Sequence, residues 1–368
     1  MKVILCGGGT SGHVNPALNI AETIKKRLPD TEIMFIGTKR GIESSLVPKA
    51  GYKIDFVEVS GFSRSLSLKN IKAAWHALTS VSEAKKIIKK FKPDLVIGTG
   101  GYVSWPTVKA ASKLGIPTLI HEQNAFPGVT TKMLSKVADK VCISFAGSEK
   151  FFDEAQREKL TITGNPVIVD GMSRAEARRK LGMSDNEPYI LSYGGSMGAE
   201  KVNQLIFDLI QCYSIPKGVR HSHAIGRVGY EKFSDIAKQN GFYEHPNLEI
   251  TEYIYDMAVR QAAADVIICR AGAMTMSELA IRGSAAIFIP SPNVTEDHQY
   301  KNARLLADAG AAIVYRENEI NGKLLAEAVD ELLQNKNKRA RMSDSIKNFA
   351  TNNSVDLIVD NALALLNK

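Results

Sequence analysis

Short runs of Val, Ile and Leu recur along the chain and alternate with longer stretches in which apolar residues return every three or four positions. Such runs suit strands buried on both faces of a parallel sheet, and the stretches between them suit the covering helices. On this pattern strands are expected near 2–6, 32–36, 54–58, 94–98, 117–121, 140–143 and 160–163. A second series starts at Tyr189 and continues near 220–225, 248–251, 265–269, 285–289 and 312–314, and the text after Asn321 is helical. The alternation breaks at GNPVIVD (164–170), where Gly-Asn-Pro signals a turn and the polar stretch SRAEARRKLG (173–182) follows. With 368 residues, too many for one core of ordinary size, the chain is expected to form two α/β domains, 1–163 and 164–341.

Four of these runs end in glycines that lead into a helix: KVILCGGGTSGH (2–13), DLVIGTGGYVSWP (94–106), YILSYGGSMGA (189–199) and DVIICRAGAMTMSE (265–278). Glycines at a strand end let backbone N–H groups and the next helix N-terminus approach an anion, so the duplicated device predicts phosphate handling at two facing sheets.

Charge sharpens the division. Residues 1–164 carry 24 Lys and Arg against 14 Asp and Glu, a net of +10, while the rest carries 23 against 25. The surplus is densest from Phe62 to Lys92, where Arg64, Lys69, Lys72, Lys85, Lys86, Lys89, Lys90 and Lys92 face one acid, Glu83. Nucleic acid, an anionic membrane surface and a solvated helix face all fit that surplus. Leu68, Ile71, Trp75 and Leu78, preceded by Phe62 and Leu66, have the helical spacing of an interfacial element or of a core-packing face. No signal-peptide core or uncharged membrane span is present, and Cys6, Cys142, Cys212 and Cys269 lack Cys-x-x-Cys spacing and are expected to be buried free thiols.

The loop chemistry narrows the ligand. Gly7, Gly9 and Gly12 satisfy Gly-x-Gly-x-x-Gly, but the next strand ends in Gly37, Thr38, Lys39 and Arg40 rather than the acid that holds a dinucleotide ribose. This argues against NAD and leaves NADP only the one loop as support. His13-Val14 stands where a P-loop needs Lys-Ser/Thr, which excludes Walker-type hydrolysis. His13, at the mouth of the first turn, is placed to take a proton from a substrate hydroxyl, a structural histidine being the alternative. His121, Glu122, Gln123 and Asn124 cluster where another strand stops, the pattern of a ligand-facing loop. Glu278 could accept two hydrogen bonds from a ribose diol or compensate a helix N-terminus, and His298, Gln299 and Asn302 follow a Pro-bounded strand. No Asp-x-Asp occurs, so a metal bridge to a pyrophosphate is not signalled.

Taken in order, GGGTSGH, GTGGYVSWP, HEQN, GNPV, GGSMGA, RAGAMTMSE and DHQYKNA span nearly the whole chain and resemble the MurG family of bacterial UDP-N-acetylglucosamine:lipid I N-acetylglucosaminyltransferases. The resemblance implies a GT-B fold, two Rossmann-like domains facing a cleft, with a final helix over 342–368 returning to the first domain. It implies an inverting, metal-independent transfer of GlcNAc (N-acetylglucosamine) from UDP-GlcNAc to lipid I, yielding lipid II for peptidoglycan. No cofactor and no nucleic acid are implied. An anionic membrane surface on the cytoplasmic side and a cell-wall synthesis complex are the implied partners. By matching motif, Thr10, Ser11 and Gly12 would face the donor sugar and pyrophosphate, Asn124 the GlcNAc, and Ser196 the diphosphate. Ile254 would lie against the uracil; Ala273, Met274, Thr275, Met276 and Ser277 would line the phosphates; Glu278 would hold the ribose and Gln299 the sugar. His13 is the first choice for general base and Glu122 the second. Ile168, Met197 and Ser11 depart from residues common in the family. A UDP-GlcNAc 2-epimerase, sharing fold and donor, or another GT-B sugar-nucleotide enzyme is the alternative.

Overall fold

The computed structural model describes residues 1–59 and 68–367, with the side chains of residues 68–78 and of Thr295 left out. The interfacial stripe Phe62, Leu66, Leu68, Ile71, Trp75 and Leu78, and the cations Arg64, Lys69 and Lys72, lie outside the described side chains. The chain divides into two units, Met1–Ile168 with Thr351–Lys368, and Val169–Ala350.

In the first unit seven strands, β1 (Lys2–Cys6), β2 (Glu32–Gly37), β3 (Lys53–Phe56), β4 (Leu95–Gly98), β5 (Thr118–Glu122), β6 (Lys140–Ile143) and β7 (Leu160–Ile162), form one parallel sheet in the order β3-β2-β1-β4-β5-β6-β7. The strand period of two explains why β1 has no polar face. Val3 and Leu5 pack with Ile20 and Ile24 of the helix Ser11–Arg27 and with Ile358 and Val359 of the helix Ser354–Ala364. Ile4 and Cys6 point the other way, onto Ala84, Ile88 and Val108 of the helices Leu68–Phe91 and Ser104–Lys113. Each Val, Leu or Ile among these, removed from water, stabilises the unit by about 1.5–3 kcal/mol.

The second unit repeats the plan with β8 (Tyr189–Tyr193), β9 (Arg220–Ala224), β10 (Leu248–Thr251), β11 (Val266–Cys269), β12 (Ala286–Phe288) and β13 (Ile313–Val314), parallel in the order β10-β9-β8-β11-β12-β13. In both sheets the strand order reverses direction between the first strand and the fourth, β1/β4 and β8/β11. The four glycine runs singled out in the sequence follow these four strands, so each pair flanks the switch point at which open α/β sheets bind ligands.

Two expectations are corrected. The single helix over 342–368 is two helices, Lys336–Lys347 in the second unit and Ser354–Ala364 in the first, separated by Asn348–Asn353. Asn352 and Asn353, poor helix formers that bond locally to backbone, lie in that break. Cys6, Cys142 and Cys269 are buried free thiols as the strands require, but Cys212 is exposed, in a π-helical turn (Ile210–Ser214). Among the described residues no helix is long and apolar enough to cross a membrane.

Candidate functional site

In the first unit the β1 loop is held from beneath by a residue that the sequence reading missed. Glu43, 1% exposed, accepts hydrogen bonds from Gly9 N (3.0 Å), Thr38 N (2.9 Å) and Thr38 Oγ1 (2.7 Å). A carboxylate of the chain itself thus sits on a glycine N–H where a dinucleotide pyrophosphate would otherwise dock. This is a second reason, beside the missing ribose acid, to discard the dinucleotide reading. The sequence carried no signal for it, since Glu43 stands outside the glycine motif.

Beyond the glycines, Thr10 is the N-cap residue of the helix Ser11–Arg27 and is exposed, while Ser11, Gly12 and His13 in its first turn are partly buried. The β4 loop packs directly on this turn. Thr99 Oγ1 donates to the His13 carbonyl (2.7 Å), and a Cβ on Gly100 would fall 2.7 Å from His13 Nδ1, so only glycine admits the imidazole there. Gly101, at φ +74°, would place a Cβ 2.2 Å from the Gly8 carbonyl.

The third component comes from the end of β5. Gln123, 2% exposed, lies 3.0 Å through Oε1 from His13 Nδ1, and its Nε2 donates to the Thr99 carbonyl at 2.8 Å. His121 is buried, with Nδ1 3.0 Å from Gln123 Nε2 and Nε2 3.0 Å from the Gly164 carbonyl. Burial pushes the His121 imidazole down to about 4, outweighing the Gly164 hydrogen bond and the nearby Glu122 charge, so it is neutral near pH 7. Glu122 has a different geometry. Its Oε1 accepts from Asn124 N (2.9 Å) and Asn124 Nδ2 (3.0 Å), and its Oε2 from Gly128 N (3.0 Å) and Thr131 Oγ1 (2.5 Å). With four donors on it, this carboxylate shapes the 124–131 loop and orients Asn124.

In the second unit the β8 loop contains Gly195 and Gly198 at φ +95° and +85°, with Ser196 exposed between them. Gly198 abuts the turn after β9, where an added Cβ would meet the Ile225 carbonyl at 2.4 Å. The helix Ala273–Arg282 begins immediately after the β11 loop, directing its first N–H groups out of the strand end. Glu278 lies in its second turn, which removes the N-terminal charge-compensation reading. It is partly buried, and burial raises its carboxyl above the usual range against the Gln261 hydrogen bond and the Arg282 charge.

Two of the expected donor contacts need restating. Ile254 is 4% exposed and packs with Leu191, Tyr193 and Met276, so only its main chain is available to a base. Met276, 2% exposed, likewise turns its side chain into the core, and its main-chain N–H already donates to the Gly272 carbonyl at 2.9 Å, so it offers a phosphate no donor. Gln299 Oε1 accepts from Ser291 N at 2.9 Å, which fixes its amide on the loop after β12. Just before it, Glu296 and Asp297 adopt φ of +53° and +56°, left-handed backbone that non-glycine residues hold only under constraint. Arg316 pairs with Asp297 at 2.7 Å and lies 3.5 Å from the centre of the Tyr300 ring. Sequence reading found the glutamine but not the strained turn that presents it.

Comparison with known proteins places this geometry in a family. Residues 3–143 match the glycosyltransferase family 28 N-terminal domain and residues 189–358 its C-terminal domain. A relative from Acetivibrio thermocellus, named UDP-N-acetylglucosamine--N-acetylmuramyl-(pentapeptide) pyrophosphoryl-undecaprenol N-acetylglucosamine transferase, is 46% identical over 98% of this chain and 97% of its own length. The crystal structure of Acinetobacter baumannii MurG is similar with a TM-score of 0.77 and 31% identity, over 99% of both chains. A UDP-GlcNAc 2-epimerase from Neisseria meningitidis, solved with UDP-GlcNAc, is similar at a TM-score of 0.65 and 14% identity, over 99% of this chain and 100% of its own, a likeness of fold alone. The chain has the GT-B fold and belongs to the MurG family of glycosyltransferase family 28.

Proposed function

We propose that this protein transfers GlcNAc from UDP-GlcNAc to the muramyl 4-hydroxyl of lipid I, releasing UDP and forming lipid II. The observation that carries this reading is the match, over nearly the full chain, to relatives named for that reaction. In the proposed step the 4-hydroxyl oxygen bonds to C1 of GlcNAc from the face opposite the diphosphate. The bond from C1 to the diphosphate oxygen breaks with its electron pair, and the hydroxyl proton passes to His13. Charge builds on the departing diphosphate, so N–H donors of the β8 loop and of the helix Ala273–Arg282 stabilise the transition state more than the ground state. Glu278 takes the ribose hydroxyls, the Ile254 main chain meets the uracil, and Gln299, Asn124 and the Thr10–Gly12 turn meet the sugar. His13, not Glu122, is the base on this reading, because Glu122 already holds four donors.

The acceptor carries a polyprenyl chain, and the reading therefore includes peripheral attachment to an anionic membrane surface. The first unit supports this locally. Lys132 and Lys150 flank the Phe151 ring, which packs against Phe126 at 4.8 Å between centroids with the rings tilted by 41°, and Val129 and Met133 beside them are 60% and 45% exposed. Binding to vesicles that rises with anionic lipid and falls with salt is expected; binding indifferent to both would remove this part.

The deciding assay follows labelled GlcNAc from its UDP donor to a lipid I analogue in EDTA, with UDP release read in parallel. Acceptor-dependent transfer is expected, and His13→Ala is expected to lower kcat by about 10²–10⁴. UDP release without acceptor would favour an epimerase instead.

A further inference from the structure

We propose that Gln123 is a positioning residue for His13, its buried amide locking the imidazole in the Nδ1–H tautomer so that Nε2 is the nitrogen that accepts the acceptor's proton. The inference rests on His13 acting as the base and adds what prepares it to do so. Gln123 Nε2 faces two carbonyl oxygens, Thr99 O at 2.8 Å and His121 O at 3.2 Å, as well as His121 Nδ1. A flipped amide would set its oxygen against both carbonyls, so Oε1 must be the atom that meets His13 Nδ1. An amide oxygen only accepts. His13 Nδ1 therefore carries the hydrogen, and Nε2 keeps its lone pair.

The network continues from Gln123 through His121 to the main chain at Gly164. The Gly164 carbonyl only accepts, so His121 donates from Nε2 and receives the Gln123 amide on Nδ1. Gly164 is itself secured in the first unit, because Asn165 Nδ2 donates to the Gln123 carbonyl and Ser144 Oγ to Asn165 Oδ1. Asn19 Nδ2 adds a bond to the Pro166 carbonyl at 2.7 Å. The base is thus tied, through Gln123 and His121, to the segment in which the chain leaves the first unit. Other titratable groups around His13 are turned elsewhere. Glu122 faces the 124–131 loop, Glu43 faces Gly9 and Thr38, and the Tyr102 ring lies against Gly9.

The test uses full-length protein labelled with ¹⁵N-histidine, comparing wild type, Gln123→Met, Gln123→Glu and His13→Ala. His13→Ala assigns the His13 signals and tests the base itself. If it keeps near-wild-type turnover, the reading of His13 fails, whatever Gln123 does. With His13 essential, wild type is expected to show the Nδ1–H tautomer in its two-bond ¹H–¹⁵N spectrum. Gln123→Met should lose it and drop kcat by about 10-fold or more with the KM for UDP-GlcNAc nearly unchanged. Gln123→Glu, whose second oxygen must carry a proton to face the Thr99 and His121 carbonyls, keeps a carbonyl oxygen on His13 Nδ1 and should restore both the Nδ1–H tautomer and most of kcat. An Nε2–H tautomer in wild type, or a Gln123→Met variant that keeps both the Nδ1–H tautomer and kcat, would overturn the positioning role.

Discussion

Glu43 and Glu122 show how a residue of catalytic type is put to use by the loop it occupies. Both are buried acids beside the β1 and β5 loops, and both place their oxygens on main-chain N–H groups. Glu122→Gln tests the distinction from a base. The substituted amide can accept at only one of its two ends, leaving either the Asn124 or the Gly128 and Thr131 donors unsatisfied. A loss of about 1–3 kcal/mol is expected in urea unfolding, with the acid limb of kcat/KM where it was. Unchanged stability with an abolished limb would return Glu122 to the role of base. At this scale the sequence was only half readable. It grouped His121, Glu122, Gln123 and Asn124 correctly at a strand end, but which of them bonds inward depends on Thr99, Gly128 and Gly164, distant in the chain and near only once the sheet has formed.

At the scale of elements, the strands were legible because a strand buried on both faces leaves an uninterrupted apolar run, as β1, β4 and β11 do. The break at 348–353 was passed over although Asn352 and Asn353 mark it, and the left-handed turn at Glu296 and Asp297 was not legible, since neither residue is a glycine. The glycines of the β8 loop permit a graded test. Gly195 has open space around its would-be Cβ, so Gly195→Ala carries only the left-handed backbone penalty, about 1 kcal/mol. Gly198→Ala adds a clash with the Ile225 carbonyl and should cost distinctly more and weaken UDP binding; equal costs in calorimetry would mean the loop yields freely. Beneath that loop, His221 and His223 are buried on either side of Ser192, each 2.8 Å from its Oγ. Burial lowers both imidazoles, His223 to about 3 and His221 well below its usual value with the help of His223. The unfolded chain protonates these histidines near 6.5 while the folded one does not, so below that pH the unfolded state binds more protons. Stability is therefore full above about pH 6.5 and falls toward pH 3, by up to about 1.4 kcal/mol per histidine per pH unit. Urea unfolding of wild type and His223→Gln between pH 7.5 and 5 should show the shallower slope in the variant.

At the scale of the whole molecule, the two units keep separate cores, and the reading of function assigns them unequal shares of the donor. That inequality can be measured because both tryptophans, Trp75 and Trp105, belong to the first unit. Intrinsic tryptophan fluorescence therefore follows the unfolding of that unit, while far-UV circular dichroism follows the helices of both. A ligand that binds only folded protein stabilises what it binds by about 2.7 kcal/mol at a hundred times its Kd. For a unit of this size the gain corresponds to a rise of roughly 5–10 °C in Tm. If UDP is held chiefly by the β8 loop, the Ile254 main chain and the helix Ala273–Arg282, the dichroism transition should rise by that amount. The fluorescence transition should rise by less than half as much, through the Thr10–Gly12 turn alone. Equal rises in both would mean that the first unit carries as much of the nucleotide as the second, and the division of donor and acceptor between the units would have to be redrawn.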